Sequence, residues 1–311
     1  MPEIVTRAAG GSPIVIEAAP ELAIAADTFL GETPVWSVDE QALYWINCEN
    51  PPQISSWIET TGERDDWPMP ERVGGFVQKE GGGLLVVLSS GVFDFQPETG
   101  KLEERARSPL PPYAALHECH CDRDGRFWVG AIDHRLREMP EPPGGGKLLR
   151  LDGDRLVAEA DGISCANGLA FSPDGSRLYL ADSPLRQIDR WSLDPASGRL
   201  ADRRPFVTIE EGAGFPDGAT VDSQGRYWIT LVYSGALRCY EASGALAVDM
   251  RLPFSNPTKV AFGGADMKTL FITTTKMRAR SGEANRGADL LGGLYSLRLD
   301  VPGIPDAKFR A

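Results

Sequence analysis

The chain has 311 residues, with 32 Lys plus Arg against 44 Asp plus Glu and a formal net charge of −12. Such a surface repels phosphate backbones and anionic lipid, so neither nucleic acid nor a membrane is expected as a partner. Thirty-four Gly and 24 Pro, scattered through short apolar runs, indicate many short strands and turns and thus an all-β fold, and the length suits two ordinary domains or one large β domain.

The opening stretch, MPEIVTRAAGGSPIVIE, has no basic segment followed by a long apolar one, and the longest purely aliphatic run, Leu84 to Leu88, is too short to cross a bilayer. A cytoplasmic location is expected, with residues 1–13 as a flexible extension. Cys48, Cys119, Cys121, Cys165 and Cys239 form an odd set without compact spacing, which fits reduced thiols better than a disulfide framework.

One strand–turn–strand pattern then recurs along the chain. Its copies are PVWSVDEQALYWI from Pro34, GFVQKEGGGLLVV from Gly75, CHCDRDGRFWVG from Cys119, LAFSPDGSRLYLA from Leu169, ATVDSQGRYWIT from Ala219 and VAFGGADMKTLFIT from Val260. The Asp-Gly-type turns supply the positive φ that a hairpin needs. Anchored on the last residue of each first strand (Trp36, Val77, Cys121, Phe171, Val221, Phe262), the copies are 41, 44, 50, 50 and 41 residues apart by subtraction. That period matches a four-stranded propeller blade. Gly91 to Phe95, Lys147 to Leu151, Gln187 to Ser192 and Ala236 to Tyr240 read as further strands of the blades. After the last copy comes a disordered-looking segment, Arg278 to Asp289, and one alternating strand, Gly293 to Leu299. The N-terminal strand candidates, Ile14 to Ala18 and Glu21 to Thr28, have no hairpin copy; pairing this region with the C-terminal blade would close the ring and remove an exposed sheet edge. The expected architecture is a single domain over 1–311, a six-bladed β-propeller of four-stranded antiparallel blades.

In a ring of blades, residues at equal phase converge on one mouth of the central channel. Four positions before each anchor stand Glu32, Val73, His117, Asn167, Asp217 and Thr258. Glu32, Asn167 and Asp217 offer two carboxylates and an amide oxygen, a hard-oxygen set suited to a divalent cation with positions left for water or substrate. A cation would also relieve the repulsion between the two acids. Asn-Gly and Asp-Gly are ordinary turn formers, which offers another reading of Asn167 and Asp217 but not of Glu32.

These segments resemble the gluconolactonase, regucalcin and senescence-marker-protein-30 family of six-bladed propellers. The resemblance runs from about Leu30 to Thr275 and is carried by LGETPVWSVDEQALYWIN, DRDGRFWVGAID, ANGLAFSPDGSRLYLADS, FPDGATVDSQGRYWIT and NPTKVAFGGADMKTLFIT. It implies that Glu32, Asn167 and Asp217 ligate a divalent metal, calcium first, with zinc, manganese, magnesium and ferrous iron as alternatives. It also implies hydrolysis of a sugar lactone to the sugar acid by a metal-dependent enzyme. The chain is expected to be a monomer or weak homo-oligomer. At the third blade the chain departs from the family's Arg-x-Asn-Asp segment: Ala115, His117 and Glu118 stand there, and the substrate-contacting Arg is absent.

Asp217 is the first candidate base and His117 the second, since a neutral imidazole near the channel can accept or donate a proton. His117, Glu118, Tyr113 and Arg135 are the expected substrate contacts, with Phe215 as a further wall and Arg137 as a further cation. The cluster His117, Cys119, His120 and Cys121 has the composition of a zinc motif, but on an extended strand His120 faces away from the other three. An organophosphate or aryl-ester hydrolase using the same metal, and a non-catalytic calcium-binding propeller, are the competing functions.

Overall fold

The computed structural model describes residues 3–6, 12–139, 141–278 and 285–310. Two short strands, β1 (Ile14–Glu17) and β2 (Glu21–Ile24), precede the first blade. Blade one is β3 (Gly31–Ser37), β4 (Ala42–Asn47), β5 (Gln53–Ile58) and β6 (Arg64–Pro68). Blade two is β7 (Val73–Gln78), β8 (Leu84–Leu88), β9 (Gly91–Gln96) and β10 (Lys101–Arg107). Blade three follows as β11 (Ala114–Cys121), β12 (Phe127–Asp133), β13 (Gly146–Asp152) and β14 (Arg155–Ile163). Blade four is β15 (Ala166–Phe171), β16 (Arg177–Asp182), β17 (Gln187–Leu193) and β18 (Leu200–Thr208). Blade five is β19 (Phe215–Val221), β20 (Tyr227–Val232), β21 (Ala236–Tyr240) and β22 (Leu246–Arg251). The sixth contributes β23 (Pro257–Gly263), β24 (Thr269–Thr274) and β25 (Leu294–Arg298), and β2 completes it by pairing antiparallel with β25.

The protein is therefore a six-bladed β-propeller whose ring is closed by an N-terminal strand. One blade departs from the four-strand pattern. β1 pairs in parallel with β22, so the fifth sheet has five strands. Of the two N-terminal strands, only the second joins the C-terminal blade. The first covers the outer edge of its neighbour, which would otherwise present unpaired backbone groups. Within the first thirteen residues, Ile4 bridges Leu299, and Thr6 is buried against Asp300 and Arg226. Of the segment expected to be disordered, residues 279–284 lie outside the described residues; its far end enters a short 3₁₀ turn, Ala288–Leu290.

The repeats have a common physical basis. Each blade buries the residue that follows the second strand's pairing partner of the anchor: Tyr44, Val86, Trp128, Tyr179, Trp228 and Phe271 are all at most 9% exposed and fill the space between adjacent sheets. In blades three and five the Asp of the turn also anchors that aromatic. Asp122 accepts from Trp128 Nε1 at 3.1 Å and Asp222 from Trp228 Nε1 at 2.9 Å, while each carboxylate also accepts the backbone N–H groups that shape the turn. A buried acid is stable there because its lone pairs are used.

All six innermost strands contain a register break just where the phased residues stand. Glu32 pairs with Ile46 but Val35 with Tyr44, three residues on one strand against two on the other. The same three-for-two step lies between Leu116 and Cys119, Asn167 and Ala170, Pro216 and Ala219, and Pro257 and Val260; in blade two it is two-for-one between Val73 and Gly75. A bulge re-aims the side chains beside it.

The opposite face, which carries the hairpin turns, is crossed by residues 302–310. Ser223 N–H donates to Pro302, Arg123 to the Pro305 carbonyl, Phe309 N–H to Gln78, Arg310 N–H to Gly125, and Lys308 pairs with Asp39. The C-terminal segment thus ties together the turns of blades five, three, two and one. No helix of the described residues is long and apolar enough to cross a membrane.

Candidate functional site

At the mouth the bulged strands of blades one, three, four, five and six present polar side chains, and blade two adds Arg72 from just before β7. Glu32 follows Gly31 at the start of β3 and is fixed locally, because Thr33, at φ 46°, donates its N–H to Glu32 Oε2 at 3.0 Å. Asn167 lies in β15 and donates its Nδ2 to Ser183 Oγ at 2.9 Å, and Ser183 Oγ donates in turn to the carbonyl of Pro216 at 2.7 Å. This chain commits the amide nitrogen, so the oxygen, which His117 also hydrogen-bonds, is the atom that can face a ligand. It also links Asn167 to the residue that precedes Asp217.

Glu32 and Asp217 are electrostatic neighbours. Burial, opposed in part by Lys259, raises the Glu32 carboxyl to about 7. Burial first and Glu32 second push the Asp217 carboxyl well above its ordinary value. Two acids so placed are short of positive charge, and two carboxylates with one amide oxygen form the donor set that a hard divalent cation takes. Glu32, Asn167 and Asp217 therefore fit such an ion. Among the described residues no three His, Cys, Asp or Glu side chains gather as ligands, so an amide is required to complete this set.

His117 sits inside the third bulge. Arg72, the residue before β7, brings its Nη2 to 3.2 Å from His117 Nδ1. A guanidinium can only donate, so Nδ1 is the acceptor and the neutral ring carries its proton on Nε2. Burial, with Arg72 next, holds the imidazole well below its usual pKa, and a side-chain hydrogen bond to Asn167 opposes this. His117 is thus a neutral donor at physiological pH.

Glu118, the other residue of that bulge, is 4% exposed and turns inward. It accepts from Leu169 N–H at 3.0 Å and from Lys259 Nζ at 2.5 Å. Burial opposes the Lys259 charge, but Glu118 and then Glu32 outweigh it and hold the ammonium protonated. This pair spans the channel from blade three to blade six. Lys259 can cross there only because residue 218 is glycine: a Cβ at Gly218 would lie 2.3 Å from Lys259 Cγ.

The remaining phased positions serve the fold. Val73 is buried in an apolar cluster, and Thr258 Oγ1 donates to the Gly31 carbonyl at 2.5 Å, joining blades six and one. Tyr113 is on the rim, 39% exposed, with the Arg135 guanidinium 3.6 Å above its ring. Arg135 is already engaged by Asp133 through Nε at 3.0 Å and Nη2 at 2.7 Å. Phe215 lies beneath Arg186 at 4.4 Å. The Arg137 side chain lies outside the described residues. The cysteines are all free and buried, and His120 turns away from Cys119 and Cys121 to pair with Asp306 at 3.2 Å.

Lys259 and Arg72 are the residues that sequence phase does not reveal. Both stand one residue away from a phased position, Lys259 after Thr258 and Arg72 before Val73. A lysine in the otherwise apolar run of NPTKVAF was the available signal for the first; Arg72, in a turn, offered none.

Comparison with known proteins agrees with this architecture. The chain is 35% identical over 288 residues to a 6-deoxy-6-sulfogluconolactonase of Pseudomonas putida, covering 90% of this chain and 94% of that one. It is 32% identical over 287 residues to pentonolactonase XacC of Haloferax volcanii, at 91% and 94% coverage. Among solved structures, a calcium-binding regucalcin of Agrobacterium tumefaciens superposes with a TM-score of 0.87 at 21% identity, over 96% of this chain and 99% of that one. Residues 30–276 match the SMP-30/gluconolactonase/LRE-like region, and the chain belongs to that family.

Proposed function

We propose that the protein is a divalent-metal-dependent sugar lactonase, which opens an aldonolactone to the aldonic acid. The observation that carries this reading is the pair of buried acids Glu32 and Asp217, neighbours short of a counter-charge, with Asn167 tied through Ser183 to the residue before Asp217. The sugar lactones named for the two relatives above support the substrate class. When bound, the cation supplies Lewis-acid polarisation of the lactone carbonyl and offsets the charge of both carboxylates.

The protein's own groups do the rest. Asp217 accepts the proton of the attacking water. His117, neutral and protonated on Nε2, donates a hydrogen bond to the carbonyl oxygen or to a ring hydroxyl. The new bond joins the water oxygen to the carbonyl carbon, the bond from that carbon to the ring oxygen breaks, and the ring oxygen leaves with a proton as the alcohol of the hydroxy acid. Glu118 and Lys259 neutralise each other and close the channel beneath the site. Tyr113 and Arg135 form one wall of the rim.

A pH-indicator assay with five- and six-membered aldonolactones, run on metal-stripped protein with each divalent cation restored in turn, tests the reading. Acid release should depend on an added cation. Faster turnover of paraoxon-like esters than of any lactone, or cation binding without lactone opening, would replace it with an esterase or a binding protein.

A further inference from the structure

Arg72 is a cation at the mouth that no carboxylate binds directly. Its Nη2 faces a neutral imidazole at 3.2 Å, and its Nη1 is covered by protein with no hydrogen-bond partner. Buried guanidinium donors are rarely left unpaired, because the lost hydration is not returned. The other basic groups nearby are committed: Lys259 to Glu118, Arg135 to Asp133, and Arg186 to the Gly214 carbonyl and the Phe215 ring. Arg72 acts on Glu32 from a distance, and a cation held by Glu32 would take over that charge balance. On blade three, moreover, position 115 is an alanine, 5% exposed and packed in a small apolar cluster, so that position supplies no guanidinium.

We propose that Arg72 is a substrate-binding residue for an anion, and that the lactone taken by this protein carries an anionic group, a carboxylate or a sulfonate, away from its reacting carbonyl. This rests on the lactonase reading for the reacting end. In a protein of net charge −12 such a substrate needs a dedicated positive partner in the site. Arg72 would be that partner: rotation about its flexible stem would uncover Nη1 beside Nη2, a fork that matches two oxygens of either anion. His117, bonded to the same guanidinium, would sit between the anion and the reacting carbonyl.

The test compares gluconolactone with two analogues bearing a carboxylate or a sulfonate at the sixth carbon, on cation-supplemented protein. At least one anionic lactone should be opened with kcat/KM about 10- to 100-fold above the neutral one, the range expected of a charge-assisted pair. The preference should shrink as salt is raised, and the ratio should fall to near one in Arg72→Met, with Arg72→Lys between. The two analogues tell carboxylate from sulfonate. Equal use of neutral and anionic lactones by the native protein, or a ratio that survives in Arg72→Met, overturns the proposal. Calorimetric titration with gluconate and with its C6-carboxylate and C6-sulfonate derivatives decides it separately from turnover. If no lactone is opened, the functional reading fails, yet tighter binding of a dianion that depends on Arg72 still upholds the anion site; equal binding of all three removes it.

Discussion

Glu32 and Asp217 are held where burial makes each hard to ionise and where Glu32 hinders Asp217 further, and this has a measurable sign. The Glu32 carboxyl lies at about 7 against an ordinary value of 4.5, so between those values the folded, metal-free protein binds more protons than the unfolded chain. Stability then falls as pH rises through that window, by up to about 1.4 kcal/mol per pH unit for each group that is forced to ionise. Metal-free protein should melt at lower temperature at pH 7.5 than at pH 5, and a saturating cation should reverse the order; a flat pH profile without metal would mean that burial does not resist ionisation of these acids. Replacing one of them separates fold from function. Above pH 7, Glu32→Gln should stabilise the metal-free protein by roughly 1–4 kcal/mol, since a carboxyl forced to ionise gives way to a neutral isostere, while cation affinity is lost; calorimetry and thermal melts read both. At this scale the sequence was partly legible. Repeat phase selects Glu32, Asn167 and Asp217 because each precedes its bulge or begins it, whereas Arg72 and Lys259 reach the same space from off-phase positions that only the tertiary fold reveals.

The innermost strand with its bulge is the element that makes the site. The hairpins could be read from Asp-Gly turns and alternating apolar residues. The bulges could not, because an extra residue in one strand leaves no mark of composition. In blade five the bulge contains Asp217 and Gly218, and the glycine gives passage to Lys259. Gly218→Ala should cost about 1–3 kcal/mol in stability through overpacking and should lower activity as well, since displacing Lys259 leaves the buried Glu118 unpaired. Denaturant unfolding and rate assays would show both losses; an alanine variant with native stability and rate would mean that the Glu118–Lys259 bridge is not needed. The same element explains the apparent zinc motif: in HECHC the bulge sends His117 to the mouth, while Cys119 and Cys121 enter the core and His120 meets Asp306.

For the whole molecule, closure of the ring depends on a strand from the other end of the chain. β2 covers β25 through Glu21–Ser296, Leu22–Tyr295 and Ile24–Leu294 pairings. Removing residues 1–24 should leave that edge open, lower the melting temperature and promote association; a truncated chain that stays monodisperse and melts normally would show closure to be dispensable. The location of the closing strand was legible as a leftover strand without a repeat partner. The parallel docking of β1 on β22 and the C-terminal segment across the hairpin face were not, since each depends on contacts far along the chain.

The central claim is that the cation site formed by Glu32, Asn167 and Asp217 opens lactones. Its most direct test is the rate of acid release from an aldonolactone, followed as a divalent cation is titrated into metal-stripped native protein and Asp217→Ala. The account predicts a saturable rise in the native protein and a rate at least 100-fold lower at every cation concentration in the variant. Equal rates in the two proteins, with cation binding unchanged, would contradict it.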